Sequence, residues 1–133
     1  MNKLLAVAGS VLLLGAPRIV EAGTMFTNPV IYVQPMVLNF GRVPTNATAT
    51  ATFVVENMGI GILVGTASVP APFKVTAGGN YSLKANEAQM VTVTYTPRSA
   101  EPDSQTVKFT GGGGAKTTVT GTPAPVPRKL FTR

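Results

Sequence analysis

The sequence contains neither cysteine nor histidine. Without cysteine the chain cannot form a disulfide, a thiolate metal site or a cysteine nucleophile. Without histidine it lacks the commonest general base, a frequent metal ligand and the Ser-His-Asp arrangement. These absences predict a protein that is not an enzyme, with no catalytic residue, no metal site and no cofactor. The hydrophobic core is left to hold the fold together.

Acidic residues are also scarce, with five against eleven basic ones and a net charge of +6. Glu101 and Asp103 lie close in sequence, but Pro102 separates them in a polar loop. We interpret them as solvated turn charges, because a glycosidase needs two carboxylates about 5–10 Å apart in a cleft. Basic residues do not form a stripe interleaved with aromatics, which argues against nucleic acid as a partner.

Tryptophan is absent, and the chain has only three tyrosines. Tyr95 falls on the predicted inward face, which leaves Tyr32 and Tyr81 as candidates for an exposed aromatic platform of the kind that binds sugars. We interpret both as tyrosines at the rim of the core, with a buried ring and a wet hydroxyl. A glycan- or ligand-binding module remains open as an alternative function.

The long apolar run is confined to the start of the chain. Lys3 precedes the apolar residues 4–16, and Val20-Glu21-Ala22 has the small or compact residues of a cleavage site. We expect residues 1–22 to be a cleaved signal peptide. The alternative is an uncleaved membrane anchor, but the apolar run of 13 residues is shorter than the roughly 20 that a spanning helix needs. The predicted location is the bacterial periplasm or cell surface, with no transmembrane span after cleavage.

The remaining chain shows apolar and polar residues in alternation, the period of a β-strand, and no helical period. Two strands are clear: one places Phe53 and Val55 on its apolar side, and the other places Val91 and Val93 there, with threonines opposite. Phe109 lies on the apolar side of a later strand. We expect these five side chains to form the core between two sheets.

Four consecutive glycines, residues 111–114, separate two of the predicted strands. We interpret them as a hairpin turn, because a phosphate-binding loop requires a following helix. The sequence therefore predicts an all-β, immunoglobulin-like β-sandwich of about seven strands. Its predicted parts are a lead-in at residues 23–29, the sandwich at 30–122 and a proline-rich basic C-terminal arm at 123–133.

A set of motifs also resembles a known family, and these motifs occur in the order Leu38-x-Phe40-Gly41-x-Val43, Phe53-Val54-Val55-x-Asn57-x-Gly59, Phe73-x-Val75, Leu83 to Glu87, Val91-Thr92-Val93-x-Tyr95-x-Pro97 and Val119-x-Gly121. Together they resemble the Hydin-type (ASH) immunoglobulin-like domains and are similar to choice-of-anchor D repeats. One departure is Ala85-Asn86, where family members usually have Pro-Gly; asparagine tolerates the left-handed conformation of such a turn. The resemblance implies an architecture like PapD and the major sperm proteins, used for binding and assembly.

The function that we expect is a non-catalytic structural or protein-interaction module, a small subunit of a bacterial envelope or surface assembly. Its partners would be envelope or surface proteins bound through sheet edges and terminal arms, and a periplasmic chaperone-like assembly factor is a further alternative. Alternating prolines favour an extended C-terminal arm, whose basic residues could also contact an anionic surface. The candidate partner-binding residues in it are Pro125, Pro127, Arg128, Lys129, Leu130 and Phe131.

Overall fold

The computed structural model describes residues 27–125, and the predicted signal peptide therefore lies outside the described residues. Residues 27–125 form nine strands: β1 (Ile31–Gln34), β2 (Val37–Pro44), β3 (Ala49–Asn57), β4 (Leu63–Ser68), β5 (Phe73–Ala77), β6 (Asn80–Leu83), β7 (Ala88–Tyr95), β8 (Asp103–Phe109) and β9 (Ala115–Ala124). The predicted all-β fold is confirmed, with nine strands where about seven were expected. Nowhere in this range is there a helix long and apolar enough to cross a membrane.

The strands form two sheets that pack face to face. One sheet has the order β1-β3-β7-β5, and the other has the order β2-β9-β8-β4-β6. Most neighbours are antiparallel, but β2 runs parallel to β9, with Leu38 opposite Val119. Two strands from opposite parts of the chain therefore lie side by side in the second sheet.

The core lies between the two sheets where the alternating strands predicted it. Phe53, Val55, Val91 and Val93 are fully buried, and Phe109 is 2% exposed. The rings of Phe53 and Phe109 meet edge to face across the sheets, with their centroids 5.6 Å apart, a favoured aromatic geometry. The predicted core is confirmed.

A second aromatic cluster fills one end of the sandwich. Tyr95 stacks on Phe73 with 4.7 Å between ring centroids, and Phe40 packs against both rings. Gly121 lies directly beneath, and a Cβ at that position would collide with the Tyr95 ring. Glycine is required there to leave room for a large, fully buried ring.

The two predicted turns form as expected. Asn86 adopts a positive φ of 67°, which asparagine tolerates better than most residues. Glycines 111–114 join the antiparallel strands β8 and β9, and all four have positive φ. The hairpin interpretation of the glycine run is confirmed.

The C-terminal boundary of the sandwich requires a correction. We expected the arm to begin at residue 123, but β9 continues through Ala124, and Pro123 is buried opposite Val43. The carbonyl of Ala124 accepts a hydrogen bond from Thr45 N–H, so Pro123 directs its backbone away from β2. On the other side of β9, the neighbouring strand β8 reaches only to Asp103, which lies opposite Gly121. Pro123 therefore has no strand beside it there, and its missing N–H costs no hydrogen bond of the sheet.

The sequence does not predict which side of β4 faces inward, because Gly65 and Ala67 blur its alternation. In the structure, β4 buries Leu63 and directs Gly65 and Ala67 inward. It pairs with β8 only through Ala67 opposite Phe109 and Ser68 opposite Lys108. Pro70 and Pro72 follow, and their missing N–H groups prevent β4 from extending along β8. The chain instead crosses to β5 in the other sheet.

Candidate interaction site

The side chain of Asn57 organises one end of the sandwich. It is fully buried at the end of β3, and its Oδ1 accepts hydrogen bonds from Val30 N–H (3.1 Å) and Gly59 N–H (3.0 Å). Its Nδ2 donates to the carbonyls of Gly61 (3.0 Å) and Leu83 (3.1 Å). All four polar positions of the amide are therefore satisfied, and three separate segments are held together.

The loop that Asn57 holds and the start of β4 together present apolar side chains to solvent. Met58, Ile60, Ile62 and Val64 are 47%, 52%, 56% and 65% exposed, and we call this group the apolar end. Backbone N–H groups of Met58 and Ile60 donate to the carbonyls of residues 30 and 28, so the loop lies along the first described residues. These four account for half of the eight large exposed hydrophobic side chains in the described part of the chain. Apolar side chains grouped in this way mark interaction surfaces more often than scattered ones do.

A second feature is an incompletely paired strand. The N–H of Thr110 donates to Thr66 in β4, so alternate residues of β8 direct their backbone groups towards the β4 side. Ser104 and Thr106 share this orientation, but β4 has already turned away at that level. Within residues 27–125 no backbone group pairs with their N–H and C=O groups, which form what we call the open β8 edge.

Two hollows adjoin the open β8 edge. One has a volume of about 490 Å³ and is lined by Ser68, Val69, Pro70, Gln105, Thr106 and Lys108. The other has a volume of about 590 Å³ and is lined by Ala71, Pro72, Phe73, Lys74, Thr94, Thr96, Arg98, Ser99 and Asp103. Three cations line these hollows, and Asp103 is the one carboxylate among the lining residues.

The Asp103 carboxylate is engaged by a core tyrosine. Its Oδ2 accepts a hydrogen bond of 2.7 Å from the hydroxyl of Tyr95. Burial, and next the bond to Asp103, raise the pKa of Tyr95 far above its usual range, so the phenol remains a donor. The bond ties the start of β8 to the end of β7, and it occupies one oxygen of the carboxylate beside the hollow.

The structure places the candidate acids and tyrosines in different surroundings. Asp103 is bonded to Tyr95 while Glu101 is exposed in the preceding loop. Residues 27–125 contain no group of three or more acids that could hold a metal ion. Tyr81 is buried, with its hydroxyl donating to Thr110 O, and Tyr32 is 47% exposed. The interpretation as a rim tyrosine fits Tyr81 closely, whereas Tyr32 is more open than expected.

The candidate residues of the C-terminal arm fall almost entirely beyond the described range. Pro125 is exposed and directly follows β9. Those that lie outside the described residues are Pro127, Arg128, Lys129, Leu130 and Phe131. Their role in partner binding stays a prediction.

Sequence reasoning missed both the apolar end and the open β8 edge. The glycines at 59 and 61 indicate a turn after residue 57 and a β-prone segment from residue 62, although apolar residues at 58, 60, 62 and 64 give a signal in their spacing. The open edge has a weaker signal, the two prolines at 70 and 72 that stop one strand. Which partner strand is thereby left uncovered depends on the order of strands in the sheet.

Comparison with known proteins places this architecture in a family. Residues 29–122 match the model of the HYDIN/CFA65/VesB-like, Ig-like domain. No curated protein matches the sequence significantly.

Solved structures share the fold at low sequence identity. The ASH/PapD-like domain 7 of human CEP192 is similar with a TM-score of 0.61 and 15% identity, covering 84% of this chain and 97% of that one. A Porphyromonas gingivalis W83 protein of unknown function has a TM-score of 0.61 and 13% identity, with coverage of 84% and 52%. The E. coli chaperone DraB has a TM-score of 0.55 and 13% identity, with coverage of 73% and 55%. At these identities the structural likeness shows the fold alone, whereas the family model covers most of the sequence, and the chain belongs to the HYDIN/CFA65/VesB-like family of immunoglobulin-like domains.

Proposed function

We propose that this chain is a non-catalytic protein-interaction module that is exported and serves as a small subunit of a bacterial envelope or surface assembly. The observation that carries the proposal is the apolar end, where Met58, Ile60 and Ile62 in the loop after β3 and Val64 at the start of β4 are all exposed. Burying them against a partner would remove apolar surface from water, the main favourable term in most protein association.

The surroundings of the apolar end support a docking role. Asn57 fixes the loop by four hydrogen bonds, so the apolar side chains start from an ordered backbone. A surface that is ordered before binding loses less conformational entropy on association. The absence of histidine and cysteine from the whole sequence leaves few groups for catalysis, which also favours a binding role.

The proposal is tested by expressing the full chain in a bacterial host and separating the envelope fraction. We expect the intact mass to correspond to a chain that starts at residue 23, and chemical cross-linking to join the protein to envelope proteins. The variant Ile60→Ser/Ile62→Ser should lose most of the cross-linked product while keeping its melting temperature, since both side chains are already exposed.

The matched control is Met90→Ser, which removes a side chain that is 64% exposed but lies on β7, outside the apolar end. It should leave the cross-linked product unchanged. Equal yields from the Ile60→Ser/Ile62→Ser variant and the unaltered chain would contradict the proposed docking surface. A mass that still includes residues 1–22 would contradict export with cleavage.

The C-terminal arm is proposed as a second contact with the assembly. Deleting residues 125–133 should leave the melting temperature nearly unchanged, because β9 ends at Ala124, and it should reduce recovery in the native complex. Deleting residues 123–133 should also lower the melting temperature, because it removes buried Pro123 and the bond from Thr45 N–H to Ala124 O. If the variant that lacks residues 125–133 is recovered in the complex as fully as the unaltered chain, the arm has no binding role.

A further inference from the structure

We propose that the open β8 edge binds an extended, acidic segment of a partner protein as an added β-strand. The inference rests on the proposed function as an interaction module, and it assigns a further binding site that shares no residue with the apolar end. The site consists of the backbone groups of Ser104 and Thr106 together with the two adjoining hollows. The carboxylates of the partner segment would lie near Lys108 on one side and near Lys74 and Arg98 on the other.

The backbone geometry supplies the first argument. Along Asp103–Phe109, β8 pairs with β9 in regular antiparallel register without a bulge. Ser104 and Thr106 therefore direct N–H and C=O groups outward at the spacing of a continuing ladder, and an extended peptide can pair with them residue by residue. Their side chains are exposed on the outer face of the sheet and do not cover these groups.

The other edges of the two sheets are protected by features that β8 lacks. β5 is interrupted by a bulge between Val75 and Ala77, and β2 by one between Asn39 and Arg42. β1 and β6 are only four residues long, and β1 donates its Ile31 N–H to Gly112 O. Bulges and short strands are the usual means of preventing unwanted pairing at an edge. A regular, uncovered stretch within the same molecule is therefore the place where pairing is permitted.

The chain leaves room for an added strand because β4 departs early. Residues 69–72 cross towards β5, and they line the hollows of about 490 Å³ and 590 Å³ together with β8 residues. A strand beside Ser104 and Thr106 would place alternate side chains towards these hollows and the others towards solvent. The hollows thus provide side-chain pockets next to a backbone-pairing surface, the combination by which strand addition achieves selectivity.

Charge decides the chemistry of the partner segment. Six basic residues lie within 27–125, and three of them, Lys74, Arg98 and Lys108, line the hollows. The carboxylate there belongs to Asp103, and one of its oxygens accepts the Tyr95 hydroxyl. The residues that line the hollows therefore carry more positive than negative charge, and complementary charge favours a segment that carries glutamate or aspartate.

The test uses the full chain as recovered from cells, labelled with ¹⁵N, and a synthetic seven-residue peptide of alternating glutamate and valine with blocked ends. On titration we expect the amide signals of Ser104 and Thr106 to shift and to become protected from hydrogen exchange. A peptide in which lysine replaces glutamate should bind at least about tenfold more weakly, because it meets like charges. Affinity for the acidic peptide should fall as salt is added.

Two variants separate the backbone and charge contributions. Thr106→Pro removes the N–H at the open edge without breaking a bond to β9 and should abolish peptide binding. Arg98→Glu/Lys108→Glu should weaken binding at least about tenfold, whereas the control Arg42→Glu/Lys84→Glu, with the same charge change away from both hollows, should not. If Thr106→Pro does not fold, the charge variants and the lysine peptide still decide the result.

Several outcomes would overturn the inference while leaving the proposed function intact. These are absence of binding, shifts confined to β1, β2, β5 or β6, or equal affinity for the acidic and basic peptides. Self-association of the chain through Ser104 and Thr106 without peptide would assign the edge to a second copy and would also overturn it. Loss of cross-linking through the apolar end concerns different residues, so the two proposals can fail separately.

Discussion

Replacing Phe53 with alanine is expected to lower the free energy of unfolding by about 3–5 kcal/mol, because it leaves a cavity where a full aromatic ring was buried. Phe53 has no exposed surface and meets the Phe109 ring edge to face across the two sheets. The total stability of a domain is about 5–15 kcal/mol, so the variant should lie near the limit of folding. Denaturant titration of the variant and the unaltered chain measures the difference.

The matched control for this experiment is Thr92→Ala. Thr92 pairs with Thr52 in the neighbouring strand and directs its side chain to the outer face, where it is half-buried. Its replacement should cost less than about 1 kcal/mol, as substitutions outside the core usually do. Equal losses for the two variants would mean that β3 and β7 do not direct these side chains to opposite faces.

Asn57→Ala should be the other strongly destabilising substitution, at about 3–5 kcal/mol, although it removes only a few atoms. The change leaves two N–H groups and two carbonyls without their partner, and a buried polar group without a hydrogen bond costs about 1–3 kcal/mol. The four groups belong to Val30, Gly59, Gly61 and Leu83. Thermal and denaturant unfolding should both show the loss, and hydrogen exchange should become faster at the Ile60 amide.

Asn39→Ala is the control for Asn57→Ala. Asn39 accepts one hydrogen bond, from Gly41 N–H, at an exposed position in β2, so its loss should cost less than about 1 kcal/mol. Asn57→Asp keeps the two accepted bonds but cannot donate to the carbonyls of Gly61 and Leu83. It should therefore also be strongly destabilising. A loss below about 1 kcal/mol for Asn57→Ala would show that water replaces the amide and that the network does not hold this end of the sandwich.

The sequence was sufficient to predict the parts of the fold that depend on local periodicity. Alternation in β3 and β7 places Phe53 and Val91 correctly, since the side-chain period of a strand is two. The turn at Asn86 and the glycine hairpin follow from residues that tolerate positive φ. These features need no knowledge of which strands become neighbours.

The parts that could not be predicted depend on contacts between distant segments. Pro123 was expected to follow the last strand, yet it continues β9 because β8 is absent on the side where its N–H is missing. Alternation in β4 is blurred by Gly65 and Ala67, so its inward face became clear only from its partners. The open β8 edge and the exposure of Ile60 and Ile62 are likewise properties of strand order and packing. Periodicity along the chain does not contain that information.

The parallel pairing of β2 with β9 has a consequence for when the protein can fold. Of the described strands, β2 is the second to leave the ribosome and β9 is the last, so β2 must wait for almost the whole domain before it gains its partner. Contacts between residues so far apart give a high contact order, which slows folding. Until then Leu38 and Phe40, which pack against the core in the finished sandwich, have no completed sheet to cover them. For a chain that is exported, as we propose, this delay is useful, because a polypeptide that cannot close its second sheet early stays unfolded for longer and can still be transported.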